Sequence, residues 1–199
     1  MADQTGTLRP DLAVIARHVR PGTRVLDIGC GDGALMAALR QDGCDVRGIE
    51  IEGALVERCV SQGLSVVQGD ADNDLADYPD KGFDYAVLSQ TLQTAARPDR
   101  MLDELLRVGT RAFVSFPNFA HWRTRAALMF GGRMPVTRAL PVSWYETQNI
   151  HHVTVADFRE LAAEKGARIE NEWFFAGGRP IRRTAANGRA EFAVFELSR

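Results

Sequence analysis

Cysteine is scarce in this chain, acidic residues are missing from one long stretch, and no apolar run is long. The three cysteines, Cys30, Cys44 and Cys59, form no Cys-x-x-Cys pair, and an odd, sparse set argues for reduced thiols in a cytoplasm. No segment approaches the ~20 apolar residues that a membrane-spanning helix needs. Met1 to Thr7 lacks the apolar centre of a signal peptide. A net charge of −2 gives no general pull towards nucleic acid. No His, Cys, Asp and Glu grouping has the spacing of metal ligands, and no internal repeat is visible. With 199 residues, 45% of them hydrophobic, the chain is long enough to bury a core and is expected to form one domain over 1–199.

What is present is organised around residues 25–39. The run Val25 to Ile28 is short and partly β-branched, which predicts a buried strand. Gly29, Gly31 and Gly33 follow at alternate positions, and then Ala34, Leu35, Ala38 and Leu39 recur at helical spacing. Strand, glycine turn and helix together let the backbone approach a ligand closely, with the free N–H groups of the helix start aimed at it. The loop Gly29-Cys30-Gly31-Asp32-Gly33-Ala34 satisfies the loose dinucleotide pattern, a weak signal by itself. Asp27, two residues before the loop, suits an ammonium group, and Asp32 would repel a pyrophosphate. A cationic ligand with an amino group fits better than NAD.

The rest of the chain alternates strand and helix. Pro10-Asp11 predicts a leading helix that either covers the ligand or caps the sheet. A second strand ends at Glu50, about where a ribose-binding acid falls, with Ile51 after it and Glu52 as a competitor. A third strand leads to Asp70-Ala71, either a ligand contact or a helix cap. Phe83 to Leu88 predicts a fourth strand, with Ser89 and Gln90 at its carboxyl end, and Arg111 to Phe116 a fifth, with a helix over Pro98 to Val108 between them. Ala167 to Phe175 and Glu191 to Leu197 predict two terminal strands, paired antiparallel.

Residues 117–150 break the alternation. Between Glu104 and Glu146 there is no acid, while Arg107, Arg111, Arg123, Arg125, Arg133 and Arg138 are present. Trp122, Leu128, Met129, Phe130, Met134 and Trp144 are interleaved, with a bend expected at Gly131-Gly132. This is either a lid or docking insertion for an acidic ligand or partner, or a covering segment with solvated arginines. Thr154 to Asp157 reads as a capping box. His151 before it is either a general base or a loop-bonding residue.

Asp27-x-Gly29-x-Gly31-x-Gly33 resembles motif I of the class I S-adenosylmethionine-dependent methyltransferases. The implied fold is α/β and Rossmann-like, a mostly parallel seven-stranded sheet with an antiparallel terminal strand and helices on both faces. The resemblance narrows on Phe116-Pro117-Asn118-Phe119-Ala120-His121-Trp122, Gly131 to Thr137 and Trp144 to His151, which look like the MetW family of methionine biosynthesis. Ala120 departs from that pattern, where glycine is expected. The resemblance implies S-adenosylmethionine or S-adenosylhomocysteine as cofactor, held by Asp27, Gly29, Cys30, Gly31, Gly33, Glu50, Ile51, Asp70, Ala71 and Ser89. It implies a helper of homoserine O-acyltransferase as the function, while the charge and the lack of a long apolar run argue against nucleic acid and membrane as partners. The alternative is an active methyltransferase on a small anionic metabolite, with Gln90, Asn118, Tyr145 and His151 as candidate catalytic residues.

Overall fold

Along the central strands, successive side chains enter two different apolar layers, as the two-residue repeat of a strand with both faces buried requires. Leu26 and Ile28 join Ala86 and Leu88 in one layer, while Val25 joins Tyr85 and Val87 in the other. The computed structural model describes residues 8–137 and 140–199. The expectations for Met1–Thr7 and for Arg138 lie outside the described residues.

Strands β1 (Arg24–Ile28), β2 (Asp45–Glu50), β3 (Ser65–Gln68), β4 (Phe83–Ser89) and β5 (Gly109–Pro117) are parallel. They continue into β6 (Arg168–Ala176), β7 (Arg179–Pro180) and β8 (Phe192–Ser198), in the order β3-β2-β1-β4-β5-β8-β6-β7. Strand β8 runs antiparallel to both β5 and β6, so the reversal predicted for the chain's end is present. Among the described residues the sheet has eight strands rather than seven. The extra one is the two-residue ladder of β7 on Phe175 and Ala176, folded back by Gly177 and Gly178 at φ 57° and 74°. So short a ladder leaves no periodic trace in sequence.

Helices α1 (Pro10–His18) and α2 (Ala34–Gln41) cover one face, with Ile15, Leu35, Met36 and Leu39 buried against Val25 and Phe113. Helices α3 (Gly53–Ser61) and α4 (Ala71–Asp74) follow β2 and β3. Helix α5 (Pro98–Val108) starts on proline and buries Met101, Leu102, Leu105 and Leu106 on the other face. The 117–150 segment contains a helix, α6 (Trp122–Gly131), that its charge pattern did not reveal, ended by Gly132 at φ 60°. Helix α7 (Val155–Glu164) begins with the Thr154 side chain accepting from the Asp157 N–H, the expected cap, and α8 (Ala186–Arg189) fills the last loop. Among the described residues, no helix is long and apolar enough to cross a membrane.

Candidate functional site

Strand β1 lies between β2 and β4, and the chain leaves it in the glycine loop, at the carboxyl ends of the parallel strands where open α/β sheets bind ligands. Gly29, Gly31 and Gly33 all have left-handed φ, at 69°, 58° and 78°. The Gly29 and Cys30 N–H groups both donate to the Ile49 carbonyl, at 2.8 and 3.2 Å, and so dock the loop on the end of β2. The glycines differ in what surrounds them. A Cβ on Gly29 would lie 2.6 Å from Thr91 Oγ1, and one on Gly33 would lie 2.4 Å from Leu64 Cδ1. At Gly31 nothing stands within 4 Å, so that backbone borders open space. Gly31→Ala is therefore expected to cost only the left-handed strain, about 1 kcal/mol. Gly33→Ala adds a clash and is expected to cost about 3 kcal/mol. Urea unfolding of the two variants separates them.

Two buried carboxylates frame the loop. Glu50 accepts from the Gly31 N–H at 2.8 Å through one oxygen and from the Glu52 N–H at 3.0 Å through the other. Each oxygen keeps a lone pair, so the carboxylate is fixed in place with acceptor capacity left. Glu52 itself stands before α3 as its N-cap residue and is exposed. Asp27 is 2% exposed, and among the described residues no donor meets its carboxylate. Burial pushes its pKa up to about 7; the Arg9 charge opposes the rise, and the Glu50 charge adds to it. A buried acid without a partner is unfavourable in isolation and is suited to a cation placed beside it. Burial, then the Asp27 charge, raises the Cys30 thiol well above its ordinary pKa, so Cys30 contributes backbone rather than a thiolate.

A third carboxylate was not read from the sequence as part of the site. Asp11, 1% exposed in the first turn of α1, accepts from Ser89 Oγ at 3.0 Å, Ser115 Oγ at 3.1 Å and Arg9 at 3.2 Å. Gln90 Nε2 approaches the same oxygen at 3.4 Å. Helix α1 thus does more than cap the sheet: it clasps the carboxyl ends of β4 and β5. Gln90 holds a left-handed φ of 53°, rare for a residue with a side chain, and its N–H donates to the Ser115 carbonyl at 2.8 Å.

The remaining predicted residues fall into different surroundings. Ile51 is 65% exposed directly after Glu50, an apolar side chain left uncovered beside the site. Asp70 caps α4, accepting from the Asp72 N–H at 3.0 Å and from Asn73 Nδ2 at 2.7 Å, and Ala71 is half-buried behind it. Asn118 is buried and engaged throughout: Nδ2 donates to the carbonyls of Asn187 and Ala190, and Oδ1 accepts from the Ala120 and Val155 N–H groups. Tyr145 is exposed, edge-on to Trp144 at 5.6 Å. The His151 N–H donates to the Gln93 carbonyl at 3.0 Å, as does that of Ile150 at 2.9 Å. Gln90, Asn118, Tyr145 and His151 share no direct hydrogen bond. Gln93 connects two of them, because its Nε2 also donates to the Gln90 carbonyl at 2.6 Å.

Residues 9–197 match the family model of methionine biosynthesis protein MetW. The chain belongs to the MetW family. A bifunctional methionine biosynthesis protein MetXA/MetW from Rhodopirellula baltica is 32% identical over 179 residues, 85% of this chain. The chain spans only 29% of that relative's length. An S-adenosylmethionine-dependent methyltransferase from Mesorhizobium loti superposes with a TM-score of 0.71 at 20% identity, over 94% of this chain and 96% of that one. The magnesium protoporphyrin IX methyltransferase of Synechocystis PCC 6803, solved with bound SAH, superposes at 0.67 and 19% identity, over 94% of this chain and 80% of that one. At these identities the solved structures establish the methyltransferase fold alone.

Proposed function

We propose that this MetW-family chain binds S-adenosylmethionine at its glycine loop and acts as a helper of homoserine O-acyltransferase in the cytoplasm. The observation that carries the first half is Asp27, a carboxylate 2% exposed that meets no donor among the described residues, beside a loop whose middle glycine borders open space. The residues fit the cofactor. Asp27 would take its ammonium group, and the backbone of Gly29, Cys30, Gly31 and Gly33 would follow its methionine part. Glu50 would accept from the ribose hydroxyls, Ile51 would cover the adenine, and Asp70 with Ala71 would read its edge. Ser89 stands at the reacting end. When bound, S-adenosylmethionine supplies an activated methyl group on a sulfonium.

The helper role rests on the family, and the bifunctional MetXA/MetW relative supports a second methionine-biosynthesis protein as the partner. S-adenosylmethionine is made from methionine, so binding it here would report the output of the pathway to the step being helped. The 117–150 insertion offers a physical link. It leaves β5 at Asn118 and returns to Gln93, whose side chain holds the Gln90 carbonyl at the candidate site. A ligand that prefers one arrangement of that corner shifts the population of the whole insertion.

The second reading is a working methyltransferase on a small anionic metabolite, favoured by the half-exposed Arg9 guanidinium beside Ser89. Cofactor turnover separates the two. The helper reading predicts stoichiometric binding of S-adenosylmethionine without S-adenosylhomocysteine accumulating beyond one equivalent. Sustained accumulation with any acceptor would favour the enzyme.

A further inference from the structure

Helix α6 is held at its ends and left bare along its side. His121 Nδ1 caps it by accepting from the Arg123 N–H at 3.3 Å, Arg125 Nε donates to the Ala120 carbonyl at 2.7 Å, and Gly132 closes it in the left-handed conformation. Of its side chains only Thr124 is buried. At about 3.6 residues per turn, Trp122, Ala126, Met129 and Phe130 fall on one arc, with Arg123 and Arg125 on its two sides. That arc faces solvent: Met129 is 79% and Phe130 82% exposed, and Trp122 is 55% exposed. A short helix of this kind gains little stability in water from its own backbone. Trp122 is partly covered, by the Arg123 guanidinium 5.4 Å from its ring and by the segment 184–189, whereas Met129 and Phe130 stand almost fully exposed.

We infer that the outward arc of α6 is the docking surface for homoserine O-acyltransferase, and that it enters an apolar groove edged with carboxylates on that protein. The inference rests on the helper reading above and adds where the contact is made. Trp122, Ala126 and Met129 stand at i, i+4 and i+7, the spacing by which a helix seats in a groove, and Phe130 extends the same face. The charge is complementary to an acidic rim, because no acid lies between Glu104 and Glu146 to neutralise the arginines from within. A second copy of this chain is a poorer occupant. A two-fold contact through α6 would set the same arginines against each other.

The test uses the full chain and its purified cognate acyltransferase, with equilibrium binding measured at two salt concentrations. The double variant Met129→Asp, Phe130→Asp is expected to weaken binding about 100-fold, as loss of central apolar anchors does. Arg123→Glu is expected to weaken it about tenfold and to flatten its salt dependence. Both should keep the wild-type unfolding midpoint and S-adenosylmethionine affinity, since neither site touches the core or the glycine loop. If wild type binds and the double variant binds equally well, the docking surface lies elsewhere and only this inference falls. If wild type does not bind the acyltransferase, the helper reading falls with it. Binding to phosphatidylglycerol vesicles that the double variant loses, without acyltransferase binding, would make the occupant a membrane and overturn the inference. Loss of self-association alone would make it a second copy, with the same consequence.

Discussion

Asp27→Asn is expected to stabilise the ligand-free protein at pH 8 and to abolish S-adenosylmethionine binding. In the folded chain the acid holds its proton up to about pH 7, because burial disfavours the charged form. In the unfolded chain it loses that proton near an ordinary carboxylate value of about 4. Between those limits the folded state binds more protons than the unfolded one, so stability falls as pH rises through the window. Above about 7 the cost is fully present and amounts to as much as about 4 kcal/mol. The amide has no charge to desolvate and escapes it. The wild-type and variant unfolding curves should therefore lie close at pH 4, separate up to pH 7 and run parallel beyond. Binding should show the opposite trend. An ammonium ligand needs the ionised acid, so wild-type affinity should rise with pH towards about 7, by up to about tenfold per pH unit. Equal stability of the two proteins across the whole range would mean that Asp27 has a partner in solution.

Asn118→Ala is expected to cost about 3 kcal/mol. Its amide is buried and meets four backbone groups: the carbonyls of Asn187 and Ala190 at the end of α8, and the N–H groups of Ala120 and Val155. Truncation leaves those groups buried without partners, and each unsatisfied group costs about 1 kcal/mol or more. Asn118→Asp should be no milder, because it turns a donor that faces two carbonyls into an acceptor. Urea unfolding provides the measurement. A loss below about 1 kcal/mol would mean that water replaces the amide.

The core of the fold was legible because its signals are local. Strands buried on both faces give short apolar runs, the α5 helix starts on Pro98, and the glycine loop needs left-handed residues at fixed places. What escaped is non-local or too short. Asp11 reads in sequence as an acid in a first helical turn, whereas its partners Ser89 and Ser115 lie 78 and 104 residues away. Asn118 stands in sequence only as a polar residue after the fifth strand; its hydrogen bonds to α8 and α7 reach 37 to 72 residues away. Helix α6 was hidden by a different cause. Its apolar residues sit at helical spacing, but they face outward, so a segment judged by charge and aromatic content looked irregular.

The most direct measurement is the activity of the cognate acyltransferase with and without this chain, each with and without saturating S-adenosylmethionine. Higher activity is expected when the chain is added, and a change in that increment when the cofactor is present. The cofactor response should vanish in Asp27→Asn while the increment remains. Activity unchanged in all four arms would mean that the chain does not help the acyltransferase.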